Sequence, residues 1–187
     1  MKKPSMLLAL GAVAVILSGC STMAPTAEPA ATVPAGTGAA SSASGDPGTT
    51  NGYSFEDGVL TTPEIKIVIT DHKVIPVGQP GNEYGDKPVI AFWYDITNLS
   101  DKKKDPMEWI FLFAAYQDNN PDSVNELHVA SLPDQAFLET QMEEIKKGGT
   151  VANAVAYALD DETTPVDLVA LRNVKQTEIG RMTLTLK

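Results

Sequence analysis

From Tyr53 onward, apolar and polar residues recur with the period of two that marks half-buried strands. Ile65, Ile67 and Ile69 alternate with Lys66 and Thr70, and the run continues toward Val74 and Ile75. Val89 to Ile96 puts Ile90, Phe92, Tyr94 and Ile96 on one face and Val89, Ala91 and Trp93 on the other. Trp109 to Tyr116 is also apolar on both faces, so the pattern predicts two central strands. Val151, Val155, Tyr157 and Leu159 share a face backed by Ala152, Ala154, Ala156 and Ala158. Val166 to Leu171 and Met182 to Leu186 complete the set. β-Branched and aromatic residues fill these runs, as pleated surfaces favour.

Turn chemistry separates the runs. Gly78 to Pro88 predicts a long loop, Asn98 to Pro106 a charged turn, Asp118 to Asp122 a strong breaker, and Gly148-Gly149 the stop before the alanine-faced strand. One stretch departs from the period of two. Pro133 to Ile145 spaces Phe137, Leu138, Met142 and Ile145 at a helical interval behind Asp134 as a cap, predicting one short helix between sheets. About seven strands with no internal repeat predict a two-sheet antiparallel sandwich.

The N-terminus follows another pattern. Lys2 and Lys3 precede an uncharged, mostly apolar run from Met6 to Leu17. That run is shorter than the ~20 residues a bilayer span requires. It fits the core of a secretory signal peptide over residues 1–19. Leu17-Ser18-Gly19-Cys20 resembles a lipobox, with small residues at the cut and a thiol to carry diacylglycerol. Cleavage between Gly19 and Cys20, lipidation of Cys20 and membrane anchoring on the extracytoplasmic face are the expectations. Residues 20–52 then form a linker of Ala, Thr, Ser, Pro and Gly whose only charges are Glu28 and Asp46. Such a segment has too little apolar surface to offset its ordering entropy. As a coil it spans about 30 Å.

Composition sharpens this picture. The single cysteine cannot pair within the chain, so residues 53–187 must fold through an apolar core alone. Removing Lys2 and Lys3 takes the net charge from -10 to -12. An acidic surface argues against nucleic acid, whose phosphates need a cationic face. It also argues against electrostatic adhesion to anionic lipid.

Catalytic chemistry is thinly represented. His72 and His128 are the only histidines, and neither lies near a second histidine or cysteine in sequence. Beyond the signal there is no Gly-x-Ser-x-Gly elbow and no glycine-rich phosphate loop. The expectations are therefore no catalytic residue, no cofactor and no metal. Calcium is weighed separately, because Asp118, Asn119, Asn120 and Asp122 form one oxygen-rich cluster and Asp160, Asp161 and Glu162 another. Neither has EF-hand spacing, so both read as solvated turns unless the fold joins them.

Aromatic residues supply the remaining clue. Trp93, in mid-strand, is expected in the core like the buried tryptophan of immunoglobulin-like sandwiches. Trp109 opens its run after the charged turn, which leaves an edge position open to it. Tyr84 sits inside the long loop among Asn82, Glu83 and Asp86, without an obvious core partner. Loops on a rigid sandwich commonly carry recognition, which makes these four residues the candidate ligand loop. The alternative for Tyr84 is that it folds back over the end of the sandwich.

Three stretches resemble a family of Gram-positive surface lipoproteins: Lys87 to Asn98 (KPVIAFWYDITN), Ala115 to Asp118 (AYQD) and Ile145 to Val151 (IKKGGTV). The family shares an immunoglobulin-like domain of unknown function behind a lipobox and linker. The resemblance implies the fold and the address. It carries over no functional residue except Cys20. Together these readings predict a non-catalytic, lipid-anchored module that binds a protein or cell-envelope ligand through its loops. A cell-wall-active enzyme using paired carboxylates and a structural envelope protein are the alternatives.

Overall fold

The computed structural model describes residues 52–172 and 177–186. The expected signal peptide, Gly19, Cys20 and nearly all of the linker lie outside the described residues.

Among the described residues there are eight strands: β1 (Ser54–Glu56), β2 (Val59–Thr61), β3 (Ile65–Ile75), β4 (Val89–Asn98), β5 (Phe113–Gln117), β6 (Thr150–Ala158), β7 (Val166–Leu171) and β8 (Glu178–Leu184). All pairings are antiparallel, in one sheet ordered β1-β2-β3-β4-β6 and another ordered β5-β7-β8. The chain is an all-β sandwich. With β3, β4 and β6 standing as strands A, B and E, and β5, β7 and β8 as C, F and G, the neighbours match the immunoglobulin arrangement. The β1-β2 hairpin, absent from the sequence reading, extends the larger sheet beyond β3.

Alternation along β4 places Ile90, Phe92, Tyr94 and Ile96 in the main core, against Phe113, Ala115, Leu168 and Ala170 of the smaller sheet. Trp109 fills its centre. Its ring is 0% exposed, lies 4.4 Å from that of Tyr94 and 4.2 Å from that of Phe113, and its Nε1 donates to the Tyr157 hydroxyl at 2.9 Å. Burial is the main reason that the Tyr157 hydroxyl resists ionisation.

Two expectations need correction here. Trp93 is not in that core; it points to the opposite face of β4 and is half-buried beside Ile75, Val89, Ala91 and Ala156. Trp109, for which an edge position stood open, takes the central place. The short helix is also displaced. Gln135–Phe137 makes only a 3-10 turn, whereas α1 (Trp109–Leu112) occupies the start of the run read as strand. The local cause is visible: the Asp105 carboxylate accepts from the Met107 N–H and Pro106 opens the turn, a helix-start signature.

Residues 125–130 close one side of the sandwich. The Leu127 N–H donates to the Ala115 carbonyl on the free edge of β5. Further along, Ala130 N–H donates to Ala156 and Ala158 N–H donates to His128, on the edge of β6. One segment thus covers part of both exposed edges, a protection against uncontrolled strand pairing.

Candidate functional site

Three buried carboxamides each pin one loop. Asn82 donates to the carbonyls of Ile75 and Lys87, at 3.1 and 2.9 Å. Asn98 donates to those of Lys102 and Ile145. Gln117 donates to those of Asp161 and Thr164 and accepts from the Asp160 N–H. A buried amide that satisfies two carbonyls removes much of a loop's freedom, because losing it leaves those carbonyls unpaired. These loops are held by design of their anchors.

Asn82 and Gln117 work at the same end of the sandwich. The ends of β3, β5 and β6 and the starts of β4 and β7 meet there, joined by the loops 76–88, 118–125 and 159–165. The chain enters at the other end, where Gly52 packs against Pro63 beside the start of β3. The Tyr84 loop therefore lies about a strand's length, roughly 30 Å, from the point of entry.

Within residues 78–88 the roles separate. Asn82, expected among polar contact residues, is only 7% exposed and is the loop's internal anchor. Gly81 has φ +92° and lies hard against the Pro133 carbonyl, so a side chain there would be strained and would clash. Gly85 leaves room for the Asn82 amide in the same way. Glu83 accepts from the Gly81 N–H at 3.0 Å. Between these anchors Tyr84 stands 100% exposed, which excludes the account in which it covers the sandwich end. Asp86 is exposed beside it. Tyr84, Glu83 and Asn82 border a cleft of about 350 Å³ whose other wall is Ser131, Leu132 and Gln135. That wall was invisible in the sequence, although Pro133 and Asp134 mark its turn. Asp134 caps the turn through one oxygen and accepts from Trp93 Nε1 through the other, at 3.0 Å.

The fold does bring the two oxygen-rich clusters together. Asn119 Nδ2 donates to Asp161, and Asn125 Nδ2 donates to both Asn119 and Asp160. Lys87 forms an ion pair with Asp160 at 2.6 Å, holding that carboxyl below the usual range, with the Asn125 amide assisting. Asp161 is lower still, chiefly because the backbone N–H groups of Thr164 and Thr163 point at it. Amide, hydroxyl and ammonium donors thus occupy oxygens of Asn119, Asp160 and Asp161 that a calcium ion would use. Among the described residues, no group of three His, Cys, Asp or Glu side chains is placed to hold a metal. His72 and His128 are both exposed.

The arrangement is that of an all-β sandwich presenting pinned loops. The model for a family described as a domain of unknown function (DUF5067) matches residues 40–171, and the chain belongs to that family. No curated protein and no solved structure matches it.

Proposed function

We propose that this protein is a lipid-anchored, non-catalytic binding module of the Gram-positive cell surface. Its signal peptide ends at Gly19, diacylglycerol on Cys20 holds it to the extracytoplasmic face of the membrane, and the loop 78–88 engages a protein or cell-envelope ligand. One observation carries the binding reading: a fully exposed tyrosine sits on a loop whose backbone is pinned on both sides by the buried Asn82 amide. Tyrosine joins an apolar ring to a hydroxyl and loses little entropy on docking, which suits it to binding hot spots. Glu83 and Asp86 give the surroundings a negative charge that favours a basic partner.

The location of the loop fits the tether. With the chain entering at the far end of the sandwich, Tyr84 is on the side that can reach furthest from the lipid surface.

The test compares Tyr84→Ala with the unaltered protein in native membranes. An unchanged thermal midpoint together with loss of a co-purifying partner is expected. A variant that keeps its partner refutes the assignment of Tyr84. The anchor is checked with Cys20→Ala, which should abolish labelling by a radioactive fatty acid; persistent labelling refutes it.

A further inference from the structure

A second concave surface lies on the outer face of the smaller sheet, away from Tyr84. Its floor is Tyr116 of β5 and Val169 and Leu171 of β7, with Arg181 of β8 alongside. The loop 118–125 forms its wall. The groove encloses about 610 Å³, within the ~300–1,000 Å³ range of ligand-binding clefts. Val124, at the lip, is 85% exposed.

Charge selects the occupant. Among the described residues Arg181 is the one cation lining the groove, and it is already committed. Its Nε and Nη2 donate to Glu178 at 2.9 and 2.7 Å, and its Nη1 donates to Asp167 at 3.0 Å. No hydrogen bond or ion pair to the carboxylates of Asp118 and Asp122 is present among the described residues. The four carboxylates against one guanidinium leave a negative groove over an apolar floor.

A lysine or arginine side chain matches both features. Its aliphatic stem covers apolar surface while its charged head remains at a wet, polar rim. We infer that this groove binds a cationic segment of a partner polypeptide, with its aliphatic surface against Tyr116 and Val124 and its basic heads at Asp118 and Asp122. The chain's own stretch 21–52 contains no Lys or Arg and does not supply the cationic segment.

The experiment uses the full chain in neutral detergent and a fluorescent, end-capped hexapeptide of alternating Leu and Lys. Anisotropy should show saturable binding that weakens with added salt, while the Glu-for-Lys peptide should not bind. Combined Asp118→Asn and Asp122→Asn should weaken binding about ten-fold, the scale of two partly exposed charge contacts. Val124→Ser should weaken it without moving the thermal midpoint. Glu139→Gln with Glu143→Gln, the same change in net charge on exposed residues outside the groove, should have no effect. Failure of the Lys peptide to saturate overturns the inference. So does equal weakening by the groove and control pairs, which would mean diffuse attraction to an acidic surface. Tyr84→Ala separates this site from the loop site: it should leave peptide binding intact, and a comparable loss would transfer the peptide to the Tyr84 loop.

Discussion

Trp109 Nε1 donates to the Tyr157 hydroxyl at 2.9 Å, joining the approach to β5 with β6 across the middle of the sandwich. Both groups are buried: the hydroxyl accepts the indole N–H and in turn donates to the Phe113 carbonyl, and the indole stacks among Phe92, Tyr94 and Phe113. The core depends on this one side chain for volume and for polar pairing.

That arrangement separates the two tryptophans. Trp109→Ala should cost about 3–5 kcal/mol, as truncation of a buried aromatic does. Trp93→Ala removes a half-buried ring and one hydrogen bond to Asp134, and should cost about 1–3 kcal/mol. Urea unfolding of both variants checks the order. Equal losses would mean that the outer face of β4 is as tightly packed as the core.

Asn82 should be the stability determinant of the recognition loop. Asn82→Ala leaves the carbonyls of Ile75 and Lys87 unpaired and should cost about 1–3 kcal/mol. Asn82→Asp should be worse at neutral pH, because it sets carboxylate oxygens against those carbonyls. Hydrogen exchange should show faster opening over residues 76–88 in both variants. Unchanged exchange there would show that Asn82 does not pin the loop.

Acid should loosen the loop 159–165 through Asp161. Its carboxyl titrates below the usual range because the N–H groups of Thr164 and Thr163 donate to it, at 2.6 and 2.8 Å. A depressed folded value means that the unfolded chain binds protons first, so stability rises with pH in that interval. The contribution is complete above the unfolded value of about 3.9 and is lost as pH falls through the folded value. Thermal midpoints of the unaltered chain should exceed those of Asp161→Asn at pH 6, with the gap closing toward pH 2. A gap independent of pH would remove Asp161 from the acid response.

Much of this architecture was legible from alternation. The strands β3, β4, β6 and β7 begin and end close to where apolar and polar positions stop alternating, because a sheet with one face in the core enforces that period. The loop 78–88 was legible too, through Gly and Pro, whereas the exposure of its lone aromatic was decided by the tertiary structure. The helix start at Asp105-Pro106 was also written in the sequence. It was masked by the four apolar residues Trp109 to Leu112, which fit a buried strand as readily as one helical turn.

The sequence by itself determined which residues share a face, where the chain turns and that one core without disulfides must hold it. Tertiary structure decided which face is the inner one. β4 is apolar on both sides, and alternation cannot distinguish the side that meets β5 and β7 from the side covered by residues 130–137. Hence Trp93, expected in the core, lies on the outer face. The same limit hid the anchors. Gln117 meets the loop 159–165 and Asn119 meets Asp161 only because β5 and β7 pair with Gln117 opposite Val166, bringing residues more than forty positions apart within hydrogen-bonding reach. Local patterns encode the period of an element, whereas the contacts between loops follow from how the sheets are ordered and stacked.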